Sequence, residues 1–393
     1  MYDLASKWKV PFGRLVIGPT ARKYLNQAIS SNWITEGPFV REFEQRFAEK
    51  FGWKYAIATS SGTTAGEVIW SAIRGLRGIS HDSLEGARIA TPACAFVSTA
   101  NCILAAGLAP EFIDIDIDTL NLAPYLLPQN RAFEMSGVIG IQFVATMGKP
   151  SPIAAFAELA NRDDYPLYVV ADWCEAHGAT LHGERYADRY ADASIYSFYV
   201  AHMIVGGEGG IICTDQESIA DLCRSIKSHG RPSNSGFFDF QRPGFNAKWN
   251  DLAAAIALEG LENFDATFER RREIRQRFID GLTPLEDWLI LYRDAPGEII
   301  APHAIPIVLR DESCDIAPLR THLESMGIEV KTLFGSLPTQ HRAFRNLSYL
   351  VGSFPVAERI GRTGLHWGCH ESYTNADVDY VVESVKEFFR GAA

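Results

Sequence analysis

Two groups able to do chemistry stand near the middle of the chain. Asp172 closes the apolar run PLYVVAD, and His202 lies in SFYVAHMIVGGEGG. A carboxylate at the C-terminal end of a buried strand sits where open α/β sheets place ligands. An imidazole titrates near neutrality and is a competent general base. Cys174 follows Asp172 by two residues, on the same side if the strand continues, and Glu175 is next. Upstream, KYAIATS leads into Ser60-Ser61-Gly62-Thr63-Thr64 at the start of a helical pattern. The unpaired amides and hydroxyls of such a turn suit a phosphate dianion, although Ser and Thr are also ordinary helix caps. These residues describe a site with an anion cup, a buried carboxylate and a base.

The surrounding elements fit that purpose. Strand patterns (KYAIATS, RIATPA, EFIDIDI, GVIGIQFV, PLYVVAD) alternate with helical ones (STANCILAAG, SPIAAFAELANR), which implies an α/β fold with a mainly parallel sheet between helix layers. At 393 residues the chain exceeds one core. We expect a large three-layer domain over residues 1–250, then a bridging helix and a smaller α+β domain over 251–393. Residues 252–282 read as one long helix whose run ERRREIRQR solvates a face in preference to holding a nucleotide. Helical patterns at 19–31 and from Phe39 to Phe51 read, on periodicity alone, as a surface pair. Asp114 to Asp118 (DIDID) reads as solvated carboxylates. RPSNSGFFDFQRPGFNAKWND is an irregular segment of a length usually kept for function.

Composition narrows the classes. The chain is 47% hydrophobic and 22% charged, with a formal charge of −11 and no basic run suited to nucleic acid. No apolar run is long enough for a membrane span and no signal-peptide core is present, so a cytoplasmic location is expected. The seven cysteines (94, 102, 174, 213, 223, 314, 369) form no Cys-x-x-Cys or Cys-x-Cys, so neither a disulfide framework nor an iron–sulfur cluster is expected. His366 and His370 stand at helical spacing in GLHWGCHE, but no further ligand accompanies them and no metal is expected.

The order Asp172, Ser197-Phe-Tyr-x-x-His202, GGEGG resembles the fold-type I pyridoxal-phosphate enzymes, and within them the DegT/DnrJ/EryC1/StrS family. The W-hydrophobic-T-x-G signature at Trp33–Gly37 and the element PGFNAKW add to the likeness. The resemblance implies that Gly62, Thr63 and Ser197 grip the cofactor phosphate, Phe96 stacks on the pyridine ring and Asp172 faces its nitrogen. From its spacing to Asp172, Cys174 is expected to floor the other face, and the resemblance puts Glu175 near the 3-hydroxyl. Asn246 completes the partner's cup in a homodimer, although Lys248 and Trp249 replace the Arg and Met usual in that element.

The family carries a lysine where this chain has His202. Imidazole forms no stable imine, so the covalent tether is lost while a base remains. The pattern is similar to the branch of GDP-4-keto-6-deoxymannose 3-dehydratases. It implies a cofactor resident as pyridoxamine phosphate, removal of the C3 hydroxyl beside a keto group, and amine regeneration from glutamate. His177, Arg231, Lys248, Lys331 and His341 are weaker candidates for the phosphates or a carboxylate of a nucleotide-activated or nucleoside-linked sugar, as are residues in the 180s. The alternatives are a sugar aminotransferase of the same family and a non-catalytic sensor.

Overall fold

The computed structural model describes residues 7–79, 86–127, 137–151, 153–160, 167–183, 190–232 and 238–392. Its main sheet is built from short, almost wholly buried strands: β1 (Tyr55–Thr59), β2 (Arg88–Pro92), β3 (Ala109–Ile113), β4 (Val138–Val144), β5 (Tyr168–Asp172), β7 (Ala193–Ser197) and β8 (Gly210–Thr214). Runs such as VIGIQFV carry no polar alternation because helices cover both faces. The strand order is β1-β8-β7-β5-β4-β2-β3, and β8 alone runs against its neighbours. β1, β2, β4, β5 and β7 therefore end at one edge of the sheet. This is the α/β arrangement of the fold-type I enzymes.

A second sheet, all antiparallel, is ordered β12 (Val330–Thr332), β13 (Gly364–Gly368), β11 (Ala304–Leu309), β9 (Leu289–Leu291). Its core joins Ile305, Ile307, Val330 and Trp367 to Phe278 and Val381 of the flanking helices. A two-strand ribbon of β6 (Thr180–Leu181) and β10 (Glu298–Ile299) ties the chain leaving β5 to the chain entering that sheet.

Several expectations are corrected. The helix Pro38–Phe51 is core, not surface: Val40, Phe43 and Phe47 are fully buried, and Phe43 meets Phe198 and Trp249 edge-on at 4.9 and 5.2 Å. The run expected as one helix breaks at Asn263, whose ψ of 5° leaves the helical region. Asp251–Glu262 packs Ala254, Leu258 and Leu261 into the large core, while Phe264–Leu282 carries Ile274, Phe278 and Leu282 to the small one. GLHWG, with His and Gly masking its pattern, is the buried strand β13, so His366 is on a strand and His370 lies beyond its end. Asp114 is not simply solvated; its carboxylate accepts the Val356 and Ala357 amides at 2.9 Å and caps the helix Pro355–Thr363.

The arginine run departs furthest from the reading as a solvated face. Arg271 is 1% exposed and Arg275 is buried with it. Both share the stripe of Phe264, Phe268, Ile274, Phe278 and Leu282, while Arg272 and Arg277 face outward with Glu269 and Asp379. Among the described residues no helix is long and apolar enough to cross a membrane.

Candidate active site

The C-terminal edges of the parallel strands carry the residues singled out above. After β1, Ser61 caps the helix Gly62–Leu76: its hydroxyl accepts the Thr64 amide at 3.1 Å, and the Thr64 hydroxyl accepts the Ser61 amide at 3.0 Å. The Gly62 and Thr63 amides head this helix and have no carbonyl of their own helix to bond. Gly62 is required by close packing. A Cβ there would lie 2.9 Å from the Cys174 sulfur and 2.9 Å from Ser197 Cβ. Three expected cofactor residues, from β1, β5 and β7, therefore converge. Thr63 is exposed at the rim of the cup and Ser197 is buried at its side.

Asp172 ends β5 beside β7, in register with Ile195. The Cys174 amide donates to its Oδ1 at 3.2 Å and the Thr99 hydroxyl to its Oδ2 at 3.4 Å. Burial still pushes its pKa up, against the pull of these donors. Among the described residues no lysine, arginine or histidine pairs with it. A buried carboxylate short of a cation, next to a phosphate cup, fits a cofactor whose protonated ring nitrogen brings the missing charge. Gly62, Thr63, Ser197, Asp172 and Cys174 thus fit pyridoxal or pyridoxamine phosphate.

Glu175 accepts the Met147 amide at 2.6 Å, and its other oxygen lies 3.7 Å from His303 Nε2. Burial pushes Glu175 up to about 8. His303 in turn stacks on His202, ring centroids 5.1 Å apart. His202 follows β7 in a turn closed by its own amide on the Tyr199 carbonyl at 2.9 Å. Its imidazole is buried, its Nδ1 has no hydrogen-bond partner among the described residues, and burial together with the Arg271 charge lowers it to about 3. Burial thus keeps the ring neutral, with a nitrogen able to accept a proton. The glycines that follow wrap the Trp249 indole, which donates to the Glu208 carbonyl at 2.8 Å and leaves no room for a Cβ at Gly206 or Gly209. Trp249, a departure from the resembled pattern, has this packing role.

The other candidates divide. His177, expected as a substrate contact, is fully buried between the rings of Tyr196, Phe198 and His202, with neither nitrogen partnered among the described residues. It packs against the His202 ring and is walled off from solvent by these side chains. Phe96 is 56% exposed and meets Phe334 edge-on at 5.9 Å. His341 bonds the Phe334 carbonyl at 2.7 Å. The Lys331 amine stands 4.7 Å from the centre of Phe12, which touches His303 and His366. Phe96, Lys331 and His341 therefore form an exposed outer rim, joined by ring contacts through Phe334, His366 and Phe12 to His303 and His202.

Asn246 is exposed and Lys248 half-buried on either side of Ala247, whose carbonyl accepts the Ser60 amide at 2.9 Å, so both border the cup. Arg231 stands over Phe238 and Phe240. Of the residues in the 180s, 184–189 lie outside the described residues. The sequence reading missed His303, which nothing in IAPHAIPIVL distinguishes, and Thr99. It also missed Arg271, whose place on an apolar helical stripe was a usable signal.

Comparison with known proteins places this geometry. The DegT/DnrJ/EryC1/StrS aminotransferase family matches residues 16–386. A dTDP-4-dehydro-2,6-dideoxy-D-glucose 3-dehydratase of Saccharopolyspora spinosa is 29% identical over 387 residues, covering 90% of this chain and 81% of that protein. The GDP-perosamine synthase of Escherichia coli O157:H7 is 26% identical, covering 94% of this chain and 95% of that protein. The solved E. coli GDP-4-keto-6-deoxy-D-mannose-3-dehydratase with bound hydrated PLP superposes with a TM-score of 0.84 over 96% of this chain and 99% of that one. At 24% identity, it speaks for the fold.

Proposed function

This chain belongs to the DegT/DnrJ/EryC1/StrS aminotransferase family, and from that membership we propose that it is a cofactor-dependent dehydratase. It removes a hydroxyl, of the C3 type, beside the keto group of a nucleotide-activated or nucleoside-linked sugar. The observation that carries this reading is His202: a buried, neutral imidazole, its Nδ1 unpartnered among the described residues, in the place of the amine that a tethering enzyme needs. The 3-dehydratase among its relatives supports the same reading.

Pyridoxamine phosphate, when bound, supplies an electron sink next to its amine. The protein's part is to hold it and to move protons. Gly62, Thr63 and Ser197 would hold its phosphate, Asp172 would stabilise the protonated ring nitrogen, Phe96 and Cys174 would border the ring, and Glu175 would serve the 3-hydroxyl. Without a lysine tether the amine form would be the resident one, with glutamate as the amine donor that would restore it. His202 Nδ1 or Nε2 takes up one proton and delivers one to the departing hydroxyl, which leaves as water. A neutral imidazole can take that proton; a lysine amine tied up in a covalent bond cannot until it is released. A homodimer, in which Asn246 reaches the partner's cup, and a cytoplasmic location complete the proposal.

The test is incubation with a 4-keto sugar nucleotide and glutamate. A 3-deoxy product with ammonia release supports dehydration. An amino sugar retaining the nitrogen would establish the aminotransferase instead. His202→Asn should lose about 10³-fold in turnover while still binding cofactor; unchanged behaviour would leave only a sensor. Borohydride treatment with pyridoxal phosphate should add no mass at an active-site lysine.

A further inference from the structure

We propose that Arg271, on the helix Phe264–Leu282, is a positioning residue that locks the His202 turn by gripping two of its carbonyls. The inference rests on the assignment of His202 as the base. Arg271 Nη2 donates to the His202 carbonyl at 3.1 Å and Nη1 to the Ala201 carbonyl at 3.3 Å. Its Nε donates to Glu371 at 2.7 Å, just beyond β13. A planar fork with fixed donors suits such a three-way grip, and a lysine does not. The neighbouring Arg270 donates to the Tyr373 carbonyl at 2.9 Å, so Glu371–Tyr373 is held at both ends. The base turn of the large domain, the bridging helix and the strand exit of the small domain thus meet at one guanidinium.

A buried guanidinium beside the base also acts on it electrostatically. The groups facing His202 are His177 at 6.0 Å, His303 at 5.1 Å and Tyr199 at 6.2 Å between ring centroids, with Glu175 behind His303. His370 lies beyond Glu371, 3.5 Å from its carboxylate. Among these only Arg271 brings a permanent positive charge, and it adds to burial in keeping His202 neutral. The same residue therefore fixes where the imidazole sits and opposes its protonation.

Two substitutions separate these effects. Arg271→Lys keeps the charge and loses the fork; Arg271→Met loses both and serves only if its melting curve remains cooperative. Expected are a fall in kcat of about 10²-fold with little change in KM for both, and faster amide hydrogen exchange over residues 199–206. In the cofactor-free protein, histidine-selective NMR should show the His202 ring titrating upward from about 3 in Arg271→Met, by about one unit, and unmoved in Arg271→Lys. The acid limb of the kcat profile should follow the ring. Unchanged exchange and kcat in Arg271→Lys, alongside an inactive His202→Asn, would overturn the positioning role, and an unmoved His202 titration in Arg271→Met would overturn the electrostatic one. An active His202→Asn would instead overturn the base assignment.

Discussion

The floor of the site and its mouth are built on different principles. At the floor, Asp172, Cys174, Ser197 and Gly62 come from three strand ends and touch one another in a space that leaves no room for one more methyl group. His202 is held by its own turn and by Arg271. At the mouth, Phe96 is more than half exposed, and Lys331 and His341 rest on Phe12 and Phe334 with no carboxylate partner among the described residues. The inner group is packed tightly and the outer rim is open; on the proposed function, the first would fix the reacting geometry and the second would recognise the substrate. The chemistry should therefore be sensitive to single atoms at the floor and tolerant at the mouth.

The sharpest test of that contrast is Asp172→Asn, an isosteric change at the floor. Turnover should fall about 10²- to 10³-fold. The cofactor-free protein should melt no lower, because burial already penalises the Asp172 anion. A lower melting point with turnover intact would make Asp172 a structural residue.

Acid titration probes the floor as a whole. His202 and His366, each lowered by burial to about 3 from 6.5, stay neutral in the fold but bind protons when unfolded. Their contribution is full above pH 6.5 and drains as pH falls, by roughly 2 kcal/mol each by about pH 5. His177 and His303 act in the same direction. Glu175, raised to about 8 from 4.5, has the opposite sign and drains stability as pH rises between those values. Urea midpoints should therefore drop on acidification below pH 6.5, with a shallower slope in His366→Gln. A slope unaffected by His366→Gln would show that imidazole to be charged or solvated.

The smallest effect is expected at the rim. Lys331→Ala should raise KM for an anionic sugar nucleotide a few-fold, consistent with one exposed charge worth about 1 kcal/mol, and leave kcat within twofold. A kcat loss comparable to that of Asp172→Asn would erase the distinction between floor and mouth.

Legibility followed the same division. Asp172 could be found because a carboxylate ending a buried strand is conspicuous, and Gly62 because a Ser-Gly-Thr turn opens a helix. His202 stood out against the resembled pattern. Arg271 was hidden by its own chemistry: a cluster of arginines suggests water, yet 264, 268, 271, 275, 278 and 282 keep a strict helical spacing that places two of them inside. His303 had no such mark, since its partner Glu175 is distant in the chain. The burial of His177 was equally unmarked, because proximity to Asp172 in sequence does not show that it packs among Tyr196, Phe198 and His202.

β1 is attached to the sheet only through β8, more than 150 residues later, and Gly210 at the start of β8 passes so close to Ser61 and Gly62 that no side chain fits. A ribosome that has released only the first half of the chain has therefore made every strand of the parallel block yet cannot finish the pocket that opens at Ser61. Assembly of this enzyme should be gated by a late annealing event, and vitamin supplied during synthesis should be captured only after residue 214 has emerged.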